Sequence, residues 1–177
     1  MQMTNSILIP AWINGTLQPV EKLDVHKRGL KHKAVSIFVM NQGRILLQQR
    51  ALHKYHTPGL WANTCCTHPM WEETSEDCAP RRLNDELEIK GLDCALRGQI
   101  EYQAKVGDDM LEHEVVDVFV AHAPDDLQLT LNPDEVCSTR WITPRDLQLE
   151  LAENPQNFTP WLHIYMTKHF DTILGSK

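Results

Sequence analysis

The sequence has no long apolar run and no excess of positive charge. No apolar stretch approaches the roughly 20 residues that span a bilayer. The short run Ile7-Leu8-Ile9 ends at Pro10 with no cationic segment before it, which predicts no secretory signal. With 17 basic and 24 acidic residues, the formal net charge is −7. We therefore expect neither a membrane protein nor a general nucleic-acid binder, although a local cationic pocket for a small anion is compatible with this charge.

Cysteines are few, and their spacing does not suggest disulfide bonds. The five cysteines are odd in number and follow no framework pattern, so reduced thiols in a cytoplasmic protein are expected. The content of 42% hydrophobic and 23% charged residues in 177 is ordinary for a folded domain. We expect a single domain over residues 1–177, large enough for its own core. Nothing in the composition calls for an oligomer, and a monomer is expected.

Alternation and turn signals predict strands and helices in one α+β fold, a sheet covered by helices. Strands are expected as a hairpin over 7–19, as a second hairpin pairing 35–40 with 44–49, and at 96–102, 112–121 and 136–142. Helices are expected at 74–88, 143–153 and 159–173, each opened by a threonine. Pro80 should kink the first helix or delay its start. The polar segment 21–33 is expected to be irregular or partly extended.

One stretch concentrates chemically active side chains. Residues 63–69 read Asn-Thr-Cys-Cys-Thr-His-Pro, which puts Cys66 two residues from His68. A thiol is a nucleophile, a metal ligand or a proton carrier, and an imidazole is a metal ligand or a base. The spacing is not that of a zinc knuckle.

Two further pairs offer metal ligands. Glu112 and Glu114 alternate in a predicted strand, so both point to one face, with Cβ atoms about 7 Å apart. His26 and His32 could bend toward the same ion. Taken alone, the two pairs are more typical of a solvated acidic edge and of surface histidines. With His68 they form three imidazoles and two carboxylates, a set that suits octahedral Mn²⁺, Mg²⁺ or Zn²⁺.

Several cations accompany these patterns. Lys22, Arg50 and Lys54 lie before and after the second predicted hairpin. Each alone is typical of a solvated side chain, but together with Mg²⁺ they could clamp a diphosphate. Arg82 and Glu86 are four residues apart on a predicted helix. They form either a surface ion pair or an anion-binding group beside a metal-binding group.

In their order along the chain, these motifs resemble the type I isopentenyl-diphosphate isomerases, which have the Nudix fold. The resemblance is carried by His26 with His32, Arg50-Ala51-Leu52, residues 61–69, Arg81-Arg82 with Glu86-Leu87, Glu112 with Glu114, and Thr159-Pro160-Trp161. It implies a Nudix-type mixed β-sheet sandwiched by helices. It also implies an isomerase of isoprenoid biosynthesis that interconverts isopentenyl diphosphate and dimethylallyl diphosphate.

The resemblance further implies a role for each matched residue. The ligands of a divalent metal (Mn²⁺, Mg²⁺ or Zn²⁺) would be His26, His32, His68, Glu112 and Glu114. The acid–base pair would be Cys66 and Glu114, assisted by Tyr102. Glu86 would hold an Mg²⁺ ion that accompanies the substrate diphosphate. The diphosphate itself would contact Lys22, Arg50, Lys54 and Arg82, and Trp161 would face the isoprenoid carbon, although its position alone fits a core residue as well.

The chemistry of such an isomerase matches these residue types. Moving a double bond by one carbon needs a proton added at one carbon and another removed elsewhere, through a tertiary carbocation. An indole face stabilises such a cation by about 2 kcal/mol or more when desolvated. The sequence departs from the family pattern at Thr67, Glu72 and Glu88, where glycine is usual, and at Pro80. None of these departures removes a chemical group from the site.

Two other functions remain open on the residues. A Nudix pyrophosphohydrolase needs a glycine-led box with paired acidic residues on its helix, but here the glycines are absent and only Asp85-Glu86 remains. A hydrolase also has no need of a Cys66 and Glu114 pair. A non-catalytic Nudix-like binding module with a structural metal is the third alternative, and the nearly complete set of ligands and acids argues against it.

Overall fold

The computed structural model describes residues 7–107 and 109–175. Residues 1–6, on which the prediction of no secretory signal partly rests, lie outside the described residues. The described strands are β1 (Leu8–Ile13), β2 (Thr16–Glu21), β3 (Lys31–Asn41), β4 (Arg44–Arg50), β5 (Trp61–Ala62), β6 (Cys65–Thr67), β7 (Ala95–Lys105), β8 (Leu111–His122) and β9 (Val136–Ile142). The helices are α1 (Lys22–Arg28), α2 (Ser75–Leu87), α3 (Pro144–Glu153), α4 (Pro160–Lys168) and α5 (Phe170–Leu174).

The strand β3 organises a mixed sheet. It runs parallel to β8 over ten residue pairs, from Lys31 opposite His113 to Met40 opposite His122. It also pairs antiparallel with β1, β4 and β6. β7 extends the sheet beyond β8, and β5 and β9 pair with β4. A parallel central pair of this kind is typically buried on both faces.

Helices cover both faces of this sheet. On one face, Val35, Ile37 and Val39 of β3 pack in a core with apolar residues of α2. On the other face, Phe38 packs in a core with residues of α3, α4 and α5. This arrangement confirms the predicted α+β fold with a mixed sheet between helices. Within the part of the chain that the structure describes, no helix is long and apolar enough to cross a membrane.

Several elements lie where the sequence predicted them, because their ends carry strong local signals. β9 and α3 have the predicted bounds, and the Thr143 side chain caps α3 by accepting from the backbone N–H of Asp146 at 3.1 Å. α2 begins at Ser75 with Thr74 as its cap and is continuous through Pro80, so the later start was wrong. The last predicted helix is also wrong in one respect, since it divides at His169 into α4 and α5.

The segment 21–33 was predicted to be irregular or partly extended, which is confirmed for the extended residues 31–33 and wrong for the helical residues 22–28. It forms α1, a turn and the start of β3. The Glu21 side chain accepts from the backbone N–H of Asp24 at 2.8 Å and caps the helix, which ends at Gly29 with φ of 61°. A seven-residue helix is too short to show a clear apolar period. His26 therefore lies on a helix and His32 on a strand.

The second hairpin was predicted to pair along 35–40 and 44–49. The turn is present, but β3 and β4 pair only through Met40 with Ile45 and Asn41 with Arg44. Beyond these two pairs the strands separate, because β3 takes β6 and β8 as partners while β4 takes β5 and β9. This separation opens the sheet where the site described below is formed.

Replacing Glu88 by glycine is expected to stabilise the protein. Glu88 ends α2 in the left-handed conformation with φ of 53°, where a Cβ atom costs about 1–2 kcal/mol. Part of this gain is offset by the larger entropy of glycine in the unfolded chain, so a net increase of about 0.5–1 kcal/mol in unfolding free energy is expected. Chemical denaturation measures it. Glu76→Gly, inside the same helix, should instead destabilise by about 1 kcal/mol, and a Glu88→Gly protein no more stable than the parent would contradict the argument.

Candidate active site

The sheet register brings the predicted residues of four strands together. His32 on β3 lies opposite Glu114 on β8, and Glu114 lies opposite Tyr102 on β7. On the other side of β3, Ser36 pairs with Cys66 on β6. His32 and Ser36 are four residues apart, or about 13 Å along the strand. Cys66 and Glu114 therefore start from separated points on the sheet, and both line the same pocket.

Four of the five predicted metal ligands form one compact group. His26, His32, His68 and Glu114 each offer a ligand atom, and these atoms lie within 4.8 Å of one another. The His68 Nε2 atom is 2.9 Å from Glu114 Oε1 and 3.2 Å from His32 Nε2. Three histidines and a carboxylate at these distances are a donor set that suits a divalent ion.

The histidine tautomers favour a cation in this group. The Nδ1 atoms of His26 and His32 donate to the backbone carbonyls of Lys22 and Leu30, at 2.6 and 2.7 Å. Because a carbonyl only accepts, each Nδ1 carries the proton and each neutral ring keeps a lone pair on Nε2. The His26 Nε2 atom is buried and has no hydrogen-bond partner. Converging buried acceptors without donors are costly, so these residues fit a metal.

Glu112, the fifth predicted ligand, lies in a second group with His26 and His56. Sequence reasoning did not single out His56, which was one histidine in a basic loop and carried no spacing signal. Only the structure reveals its burial, with 6% of its surface exposed. Burial, followed by the charges of Arg50, His26 and Lys22, lowers the pKa of His56 to about 2. His56 is therefore a neutral imidazole.

Tyr102 connects the two carboxylates. Its hydroxyl lies 2.7 Å from Glu114 Oε2 and 3.0 Å from Glu112 Oε2. Burial and then the charge of Glu114 raise the pKa of Glu112 well above its ordinary value. Burial also acts to raise the pKa of Glu114, but the neighbouring imidazoles of His32 and His68 outweigh it and hold that pKa well below the ordinary range. The two carboxylates are therefore distinct, and Glu114 is the one that is ionised.

Cys66 is held as a proton donor. The Asn63 side-chain NH₂ donates to the Ile37 carbonyl at 2.9 Å, which turns its oxygen Oδ1 toward the thiol. The Cys66 Sγ atom donates to that oxygen at 2.8 Å and lies 3.2 Å from the Ser36 hydroxyl. Burial raises the pKa of the Cys66 thiol far above its ordinary value. The thiol therefore carries its proton at neutral pH.

The predicted anion-binding cations line the same pocket as Cys66, Glu114 and Tyr102. These cations are Lys22, Arg50, Lys54 and Arg82. Glu135, which was not predicted from the sequence, also lines the pocket; it accepts from Lys54 Nζ at 2.5 Å and lies 3.3 Å from Arg82 Nη2. It precedes β9 in a turn, where a single acidic residue gives no distinguishing signal. The pocket thus combines four cations with three carboxylates, of which Glu135 lies between Lys54 and Arg82.

The ion pair of Arg82 and Glu86 is present, but not on the surface. The Arg82 Nη2 atom donates to Glu86 Oε1 at 2.7 Å, and Gln48 donates to Glu86 Oε2 at 3.2 Å. Glu86 is only 2% exposed and belongs to neither group of candidate ligands. Its predicted role as an Mg²⁺ ligand stays a prediction.

Both interpretations of Trp161 fit its position. The residue lies in the first turn of α4, where it is buried in the core and also lines the pocket. The guanidinium carbon of Arg50 lies 5.4 Å from the centre of its ring. An indole face at the pocket wall beside Cys66 can contact a bound apolar group while its other side packs in the core.

Comparison with known proteins gives the family. Residues 30–162 match the NUDIX domain. The isopentenyl-diphosphate Delta-isomerase of Cereibacter sphaeroides is 56% identical over 168 residues, 95% of this chain and 95% of that protein. The isopentenyl-diphosphate Delta-isomerase of Ruegeria pomeroyi is 57% identical over 169 residues, 96% of this chain and 94% of that protein. The predicted resemblance is thereby confirmed.

A solved structure agrees with the fold. The crystal structure of DR0079 from Deinococcus radiodurans superposes with a TM-score of 0.66, covering 83% of this chain and 89% of that one. At 16% identity this likeness concerns the fold alone. The NUDIX match and the relatives aligned over nearly their whole length establish that the chain belongs to the isopentenyl-diphosphate Delta-isomerase family of NUDIX domain proteins.

Proposed function

We propose that this protein interconverts isopentenyl diphosphate and dimethylallyl diphosphate by proton transfer in isoprenoid biosynthesis. The observation that carries the proposal is one pocket lined by a protonated thiol, an ionised carboxylate and four cations. A hydrolase needs the cations but has no use for the thiol. A binding module has no use for two groups of opposite protonation state. The family relationship points to the same reaction.

The proton chemistry divides between Cys66 and Glu114. One group adds a proton to the double bond on one side of the substrate, and the other removes a proton from the neighbouring carbon. The raised pKa of Cys66 makes it the group that holds a proton before the reaction, and Glu114 is the acceptor. The Tyr102 hydroxyl, 2.7 Å from Glu114, orients that carboxylate. In the reverse direction the roles exchange.

The other side chains of the site bind the diphosphate, stabilise positive charge on the substrate and hold metal ions. Lys22, Arg50, Lys54 and Arg82 bind the diphosphate, and the Trp161 ring stabilises positive charge on the isoprenoid carbon. We propose Mn²⁺, Mg²⁺ or Zn²⁺ for His26, His32, His68, Glu112 and Glu114, and Mg²⁺ with Glu86 for the diphosphate. The bound ions would supply positive charge beside Glu114 and beside the diphosphate. We further propose that the chain acts as one domain and as a monomer in the cytoplasm.

The test is to incubate the purified protein with isopentenyl diphosphate and Mg²⁺ and to follow the products by NMR. Appearance of dimethylallyl diphosphate is the expected result. Released phosphate without the isomer would instead identify a pyrophosphohydrolase, and no product at all would favour a binding module. Dialysis against a chelator should abolish turnover, and added divalent metal should restore it. Full turnover by metal-free protein would contradict the metal dependence.

The affinity for the diphosphate should fall in mildly alkaline solution. Burial, and then the charges of Arg82 and Lys54, lower the pKa of Lys22 to about 8. Lys22 is charged below this pKa and neutral above it, so kcat/KM should fall as pH rises through about 8. The pH profile of kcat/KM measures this. Lys22→Arg keeps its charge and should flatten the profile in that range, whereas an unchanged profile in this variant would assign the pH dependence to another group.

A further inference from the structure

His56 lies between the candidate metal ligands and the cations of the pocket. It belongs to the loop between β4 and β5, yet its side chain is buried. Its ring stacks on His26 with 5.7 Å between centroids and meets Trp161 edge-on at 6.0 Å. A loop histidine with this burial needs a polar partner for its ring nitrogens.

Only one ring nitrogen of His56 has such a partner. The Nδ1 atom lies 3.1 Å from the Thr57 hydroxyl, while Nε2 faces Glu112 Oε1 at 3.8 Å. A separation of 3.8 Å is too long for a hydrogen bond. Two ligand atoms that each lie about 2.1 Å from one ion can be up to about 4.2 Å apart. The gap between His56 and Glu112 therefore suits a shared cation.

His26 links the two groups of candidate ligands. Its Nδ1 donates to the Lys22 carbonyl, so only the buried and unpartnered Nε2 is free to bind an ion. One nitrogen lone pair binds one ion, so an ion in either group would use the same His26 atom. The two groups are separate and together contain His26, His32, His56, His68, Glu112 and Glu114; an ion on His26 Nε2 that drew their side chains together would join them in one centre. Six ligand atoms is the number that an octahedral divalent ion takes.

We propose that His56 is a ligand of the metal centre and completes the five predicted ligands to a set of six. The proposal rests on the metal-dependent function proposed above. It gives Glu112, which is grouped with His26 and His56, a place at the same ion. It also ties the loop that carries Lys54 and directly follows Arg50 to the metal, so that metal binding and order in this loop are linked.

A crystal structure of the wild-type protein loaded with Mn²⁺ tests the proposal directly. The anomalous signal locates the ion, and the expected distance from the ion to His56 Nε2 is roughly 2.2 Å. An ion held by the other five residues with His56 Nε2 more than about 3 Å away would overturn the proposal. This measurement needs no variant, so it stands even where a substitution at His56 prevents folding.

A solution experiment adds a matched control. His56→Gln should weaken Mn²⁺ binding, measured by competition with a chelator, by about 10–100-fold. His53→Gln, in the same loop with a side chain that is 63% exposed, should bind Mn²⁺ as the wild type does. Equal affinities in the two variants would refute a ligand role for His56.

Assaying the same preparation separates this proposal from the proposed function. Isomerisation of isopentenyl diphosphate by a protein whose Mn²⁺ does not contact His56 would leave the function standing and remove His56 from the centre. Conversely, Mn²⁺ bound to His56 in a protein that forms no dimethylallyl diphosphate would support the ligand and reject the isomerase.

Discussion

Replacing Cys66 by alanine is expected to lower kcat for isomerisation by about 10²–10⁴-fold, the usual contribution of a positioned acid or base. The metal content should stay at the wild-type level, because the thiol bonds to Asn63 and Ser36 and to no residue of the two ligand groups. NMR of the product measures the rate, and elemental analysis measures the metal. Some loss of stability, about 1–3 kcal/mol, is expected because the Asn63 oxygen loses its buried donor.

Cys66→Ser distinguishes the acidity of the thiol from its structural hydrogen bond to Asn63. A serine hydroxyl can still donate to Asn63, but it is a far weaker acid than a thiol, so the variant should fold like the parent and remain inactive. Cys94→Ala changes a half-buried cysteine that does not line the pocket and should keep full activity. A Cys66→Ala protein with wild-type turnover would remove the thiol from the mechanism.

The parts of the fold that could be predicted are those with a local sequence signal, such as a helix-capping residue or a regular alternation of side chains. A threonine followed by proline set the start of α3, and clear alternation in 112–121 set most of β8. The partner strands could not be predicted from such signals. The parallel pairing of β3 with β8 joins residues more than 80 positions apart, as Lys31 with His113 shows. Local periodicity contains nothing about such a pairing.

The residues of the candidate site also differ in whether the sequence could reveal them. Glu112 and Glu114 were visible because a two-residue spacing in a strand puts both on one face. His56 and Glu135 were not, since each is a single residue in a loop and its importance comes from burial or from ion pairs. The short helix α1 was missed, but His26 was still identified through its family resemblance. Spacing and motif thus indicated most residues of the site, whereas His56 and Glu135, which carry neither signal, required coordinates.

Glu114→Gln should have the largest effect of any single substitution in the pocket. Glu114 contacts His68 at 2.9 Å and Tyr102 at 2.7 Å, and it is predicted to act both as a proton acceptor and as a metal ligand. The amide keeps the shape but loses the negative charge, and its NH₂ group is a donor at a position where the carboxylate accepted from the Tyr102 hydroxyl or faced His68. Turnover should fall by at least about 10³–10⁴-fold. Affinity for Mn²⁺ should fall in the same variant.

This combined loss distinguishes Glu114 from Cys66, whose replacement should spare the metal. Measuring turnover by NMR and Mn²⁺ affinity on both variants therefore tests whether Glu114 serves in both metal binding and proton transfer. Glu101→Gln is the matched control, because Glu101 is an exposed carboxylate on β7 that pairs with Lys31 and His113 outside the pocket. It should change neither quantity. If Glu114→Gln bound Mn²⁺ normally, Glu114 would act in proton transfer alone, and the ligand set would have to be completed by Glu112 and His56.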